Sequence, residues 1–196
     1  MRVPPWACVV LAAMPAFAAG RMSVSVCTRG NLSKNAAMGA EQVAASLFRS
    51  AGVEIVWAKC EIALEGDAAV ERHWFTLRLR AGGPFIKMDA DAADALGQTY
   101  LSFDDTGYIS DVYYEAVQAL ASSRQLDFTS LLGYVMAHEL GHLLLGPGHA
   151  AMGVMRAKWD PRDLRAMDRH WLKFSPEEAL RMRQRLSVPS AGTPAS

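Results

Sequence analysis

The stretch HELGHLLLGPGH, residues 138–149, constrains this chain more than any other. It closes an apolar run, DFTSLLGYVMAHELGHLLLG, that reads as one helix. Asp127 or Thr129 can cap its start, and Gly146-Pro147 stops it. His138 and His142 lie four residues apart on that helix, so both imidazoles share one face, one turn apart. Two nitrogens at that spacing can bind one zinc ion at about 2.0–2.1 Å. Glu139, beside His138, can reach a water on the same ion and take its proton as general base, giving a hydroxide nucleophile. Two protein ligands are too few for a stable catalytic zinc. Gly146 breaks the helix, and His149 follows three residues later, where the returning chain can carry a third imidazole to the open side. The alternative third ligand is a carboxylate from the C-terminal helices, with Asp160, Asp163 and Glu177 as candidates.

Upstream of this helix the patterns alternate as an α/β domain requires. RMSVSVC reads as a half-buried strand, and residues 36–51 form an alanine-rich helix carrying Val43, Leu47 and Phe48 at helical spacing, ended by Gly52. VEIVWAKC follows as a strand, which completes a βαβ unit. HWFTLRLR (73–80) reads as a third strand, and two more lie near 98–103 and 108–114, joined by a turn at Asp104-Asp105-Thr106-Gly107. A short helix is expected near 115–122. Beyond Asp160 the pattern is helical again, and Ser175-Pro176-Glu177-Glu178 reads as a capping box opening a last helix to about Leu186. Residues 189–196 read as a disordered tail.

The first 20 residues read as a targeting segment. They open with Arg2, run through an apolar stretch and reach Ala16-Phe17-Ala18, the pattern of a secretory signal with a small-x-small cleavage site. Cleavage is expected after Ala18 or Ala19, which leaves a domain over 19–188 and a secreted or periplasmic location. The apolar run is shorter than the roughly 20 residues that a membrane span needs, and no later segment is long and apolar enough. Of three cysteines, Cys27 and Cys60 remain after the signal. An even count in an exported chain suggests a disulfide, and each sits at the C-terminal end of a strand, side by side if the strands are parallel neighbours. Lysines plus arginines number 20, as do aspartates plus glutamates, so the formal net charge is zero. That gives no reason to expect nucleic acid or an anionic membrane surface as a partner.

HELGHLLLGPGH resembles the zinc-binding motif of the metzincin metallopeptidases, H-E-x-x-H-x-x-G-x-x-H followed by a methionine in a tight turn. Here the glycine and third histidine each come one residue later, because an extra leucine follows His142. The chain is also similar to small secreted bacterial proteins, predicted zinc proteases, that pair HELGHLLLG with a later histidine and a G-x-M-R-A-x-W segment. The resemblance implies His138, His142 and His149 as ligands of one Zn2+ per chain, Glu139 as the catalytic base, and Met155 of GVMRAKW as the methionine beneath the metal. It also implies a zincin-like α+β fold: a twisted mixed sheet with a βαβ start, an antiparallel edge strand near 98–103, the active-site helix, the methionine turn and C-terminal helices. The expected activity is zinc-dependent endopeptidase hydrolysis of a peptide or protein substrate. The alternatives are a zinc-holding binding module without turnover, and a zinc amidase acting on a non-peptide or cell-wall amide. Among other residues, Trp159 is expected to pack against the methionine turn. Tyr108, Tyr113 and Tyr114 read as packing residues, His73 and His170 as surface or packing residues. Arg162, Asp163, Arg165, Asp168 and Arg169 read as a solvated helix face.

Overall fold

The computed structural model describes residues 20–60, 73–83 and 95–187. The expected signal segment and the expected C-terminal tail lie outside the described residues. The element order is β1 (Gly20–Arg29), α1 (Lys34–Ser50), β2 (Val53–Lys59), β3 (Trp74–Arg80), β4 (Gly97–Tyr100), β5 (Ile109–Tyr113), α2 (Tyr114–Arg124), α3 (Phe128–Leu145), α4 (Pro161–Asp168) and α5 (Pro176–Ser187). The strands form one sheet in the order β2-β1-β3-β5-β4. All neighbours are parallel except β4, which runs antiparallel to β5 and forms an edge of the sheet. This is the expected mixed sheet with its antiparallel edge strand.

Local chemistry accounts for the ends of the elements. Ser33 caps α1 by accepting a hydrogen bond from the Ala36 amide at 3.2 Å. Gly52, just past the cap at the other end, takes a left-handed φ of 76° that an L side chain resists. On β3 the burial alternates, so Phe75, Leu77 and Leu79 enter the core that α1 and α3 share. Helices α1 and α3 cross closely at Gly133, where a Cβ would lie 2.7 Å from the Ala40 carbonyl oxygen.

Because β1 and β2 are parallel, their C-terminal ends meet, and Cys27 and Cys60 form a disulfide with Cα atoms 4.5 Å apart. The cysteines are 33 residues apart in sequence, and a loop of that size restricts the unfolded chain by about 3–4 kcal/mol in the loop-entropy picture. No helix among the described residues is long and apolar enough to cross a membrane.

The sheet face turned away from α3 carries a polar cluster that the sequence reading did not foresee. Asp111, fully buried on β5, accepts from the Arg78 and Arg80 guanidinium groups and from the Tyr100 hydroxyl at 2.9 Å. Two cations and a phenol satisfy the one carboxylate, which is how a buried charge is tolerated. Its neighbour Ser110 points the other way, toward α3, as strand alternation requires.

Candidate metal centre

Helix α3 is apolar on every side, and its residues from Leu131 to Leu144 are buried, as a central helix must be. Asp127 caps it, accepting from the Ser130 amide at 2.6 Å. Its last turn ends at Gly146, whose φ is 88°. The Gly146 carbonyl then turns back onto the His142 ring, 2.9 Å from Nδ1. The Val154 carbonyl lies 2.8 Å from His138 Nδ1. A carbonyl oxygen only accepts, so each Nδ1 carries the proton and each Nε2 presents a lone pair.

Those two Nε2 atoms face each other 3.1 Å apart. Two lone pairs at that distance repel, and a cation between them turns the repulsion into coordination. Burial keeps the rings neutral. It is the largest cause lowering His138 to about 4, against the Val154 hydrogen bond, with His142 and His149 adding to the depression. Burial likewise lowers His142.

His149 reaches the same place from outside. Its ring centre lies 5.4 Å from that of His138 and 4.8 Å from that of His142. One ligand atom from each of the three histidines lies within 4.8 Å of the others, so the trio could hold a metal ion. The segment after His149 is pinned by a bridge between Ala150 and Arg156, with the Ala150 amide donating to the Met155 carbonyl at 2.9 Å.

Met155 lies in a turn closed by the Arg156 amide on the Gly153 carbonyl. Gly153 has φ 86°, and a Cβ there would strike the Lys173 carbonyl. Met155 is buried against Gly141 of α3, between the two histidines in sequence, and a Cβ at Gly141 would overlap its sulfur. Gly141→Val should therefore cost about 1–3 kcal/mol through overpacking, since valine and glycine differ little in helix propensity. Denaturant unfolding of the metal-free protein checks this, and wild-type stability would contradict the packing described. Trp159 sets its ring edge-on to His138, with ring centres 5.6 Å apart.

Of the three carboxylates considered as third ligands, the two aspartates are occupied elsewhere. Arg156 bridges Asp160 and Asp163 at 2.8 and 2.6 Å. The same two aspartates form the capping box of α4. Asp163 is buried, which corrects its placement on a solvated face: its carboxylate turns inward to Arg156 and the Asp160 amide. Glu177 lies in the first turn of α5 and is exposed.

Glu139 points to the edge strand. It is buried, and Thr99 Oγ1 lies 2.7 Å from Glu139 Oε2. Burial pushes its carboxyl up to about 7, with the Thr99 hydrogen bond opposing and the charge of Asp111 adding. Gly97 lies flat against the carboxyl group, and a Cβ there would be 2.6 Å from Oε1. Thr99, Gly97 and the Val154 carbonyl were missed from sequence. Only Thr99 left a trace, as a hydroxyl in a predicted strand, and a strand alone does not say which face looks at the helix. Tyr113 is buried as expected, and its hydroxyl donates to Gln98 Oε1 at 3.2 Å.

No family model matches the chain, and no curated protein matches its sequence. Solved structures do match. Archaemetzincin from Methanopyrus kandleri aligns with a TM-score of 0.54 and 14% identity, over 86% of this chain and 97% of that one. Metalloproteinase-II from Bacteroides fragilis aligns with a TM-score of 0.53 and 13% identity, over 87% of this chain and 54% of that one, so the chain spans about half of that protein's length. At such identities the likeness is one of fold: this chain is a mixed α/β domain built on the plan of archaemetzincin.

Proposed function

We propose that the chain is an exported zinc-dependent endopeptidase in which His138, His142 and His149 hold the ion and Glu139 is the general base. The observation that carries this reading is the pair of bare Nε2 atoms 3.1 Å apart with a third imidazole beside them. Tetrahedral zinc at 2.0–2.1 Å places two ligand nitrogens about 3.3 Å apart, so the helical pair suits that ion, and His149 lies close enough to join it. An all-imidazole set with a place left for water is also the composition of a catalytic rather than a structural zinc site. When bound, zinc supplies a Lewis acid that lowers the pKa of a water and polarises a carbonyl.

The chain's own residues do the rest. The Val154 and Gly146 carbonyls fix the tautomer and tilt of the two helical histidines. Glu139 takes the proton of the attacking water and passes it to the leaving amine. Among the described residues no strand pairs with the outer edge of β4, and an extended peptide would bind there as an added strand. Met155, packed under Gly141, supports the floor of the site as the methionine turn. The likeness in fold to an archaemetzincin and a metalloproteinase favours a peptide substrate. The Cys27–Cys60 disulfide favours an oxidising destination.

The test is a mixed peptide library incubated with the zinc-loaded protein and read by mass spectrometry. Cleavage that a chelator stops and zinc restores is expected. A library left intact by zinc-loaded protein would overturn the endopeptidase reading. Hydrolysis confined to cell-wall amides would move it to an amidase.

A further inference from the structure

Glu139 is held by more than its own helix, and the group that holds it lies on the edge strand. Thr99 Oγ1 is 2.7 Å from Glu139 Oε2, 2.9 Å from the Glu139 carbonyl oxygen and 2.8 Å from Ser110 Oγ. A threonine hydroxyl has one proton to give. The carboxylate is the strongest acceptor within reach, so the proton goes to Oε2. Ser110, fully buried on β5, then turns its own proton to Thr99 Oγ1, the nearer acceptor at 2.8 Å against 3.3 Å for the Glu139 carbonyl. The result is a relay, Ser110 to Thr99 to Glu139, in which each donor orients the next. Gly97, two residues earlier on the same face of β4, closes the other side of the seat. Its missing side chain is the room that the carboxyl occupies.

We propose that Thr99, backed by Ser110 and with Gly97 as the wall of the seat, is a positioning residue that fixes Glu139 and commits Oε2, leaving Oε1 as the oxygen that takes the proton. The assignment rests on the peptidase reading for its consequence on rate, though the seat itself does not. A side chain with three rotatable bonds at the site of proton transfer loses rate whenever it wanders, and one hydroxyl removes that freedom.

The test uses zinc-loaded full chain in three forms: wild type, Thr99→Val, which keeps the shape and loses the donor, and Thr99→Ser, which keeps the donor. Two readouts are taken. The first is the crystallographic position of the Glu139 carboxylate. The second is kcat and KM on a peptide from the library. Expected in Thr99→Val are a carboxylate displaced or spread over several rotamers, unchanged zinc content, and a kcat lowered about 10- to 100-fold with KM within about two-fold. Thr99→Ser should restore both. A Thr99→Val carboxylate in the wild-type position with wild-type kcat would overturn the proposal, as would a loss that appears only in KM. Should Thr99→Val fail to fold, Gly97→Ala probes the same seat from its other wall, and wild-type carboxylate position and kcat there would equally overturn it. If the wild type cleaves no peptide, the peptidase reading fails by itself. The crystallographic readout then still decides the seat.

Discussion

Glu139→Gln is expected to keep its metal and lose its hydrolysis, with kcat/KM lower by about 10²–10⁴-fold. The separation follows from what the side chain touches. Glu139 is not one of the three clustered ligand residues; its carboxyl lies against Thr99 and Gly97. Glutamine has the same shape and can still accept from Thr99, yet an amide takes no proton from water. Folding should not suffer, because burial already disfavours charge at this position and an amide carries none. The measurements are initial rates on a cleaved peptide and zinc per chain by elemental analysis. A rate within ten-fold of wild type would remove Glu139 from the chemistry. Loss of zinc together with rate would make it a metal ligand instead.

His149→Ala should have the next largest effect, on the metal itself. His149 is the exposed member of the trio and lies in a loop, so its removal leaves the core untouched. It takes one of three proposed ligands. Losing a partner one shell out typically lowers affinity about 10- to 100-fold, so losing a direct ligand should exceed the upper end of that range. Competition against a chromophoric chelator measures it, with hydrolysis expected to fall in parallel. Wild-type affinity in His149→Ala would return the third ligand to another group. Asp160 or Asp163 would then have to leave Arg156 and the N-terminus of α4.

How far the sequence could be read depended on what kind of signal each feature leaves. Helix α3 and its motif were legible because a long apolar run with a cap and a stop is decided locally: Asp127 and Gly146 act where they were expected to act. The disulfide was legible because two cysteines at strand ends need only a parallel pairing to meet. The edge strand was found but drawn too long. It ends at Tyr100, because Asp104 gathers the Ser102 and Thr106 hydroxyls and the Thr106 amide into a turn that begins earlier than its Asp-Asp-Thr-Gly sequence suggested. Asp163 was misread because two arginines and an aspartate beside it on a short helix look like a wet surface, and Arg156, which draws it inward, comes from the preceding turn. The seat of Glu139 was not legible at all. In a strand of four residues the face that Thr99 takes is set by its pairing with Ser110, and that pairing is a tertiary fact.

Whether three imidazoles share one zinc ion is decided most directly by anomalous scattering at the zinc edge, from a crystal of the mature protein loaded with zinc. A single peak about 2.0–2.1 Å from Nε2 of His138, Nε2 of His142 and a ring nitrogen of His149 is expected. A peak bonded to the two helical histidines and a carboxylate, with His149 turned to solvent, would contradict it, and so would a crystal in which those three rings hold no zinc.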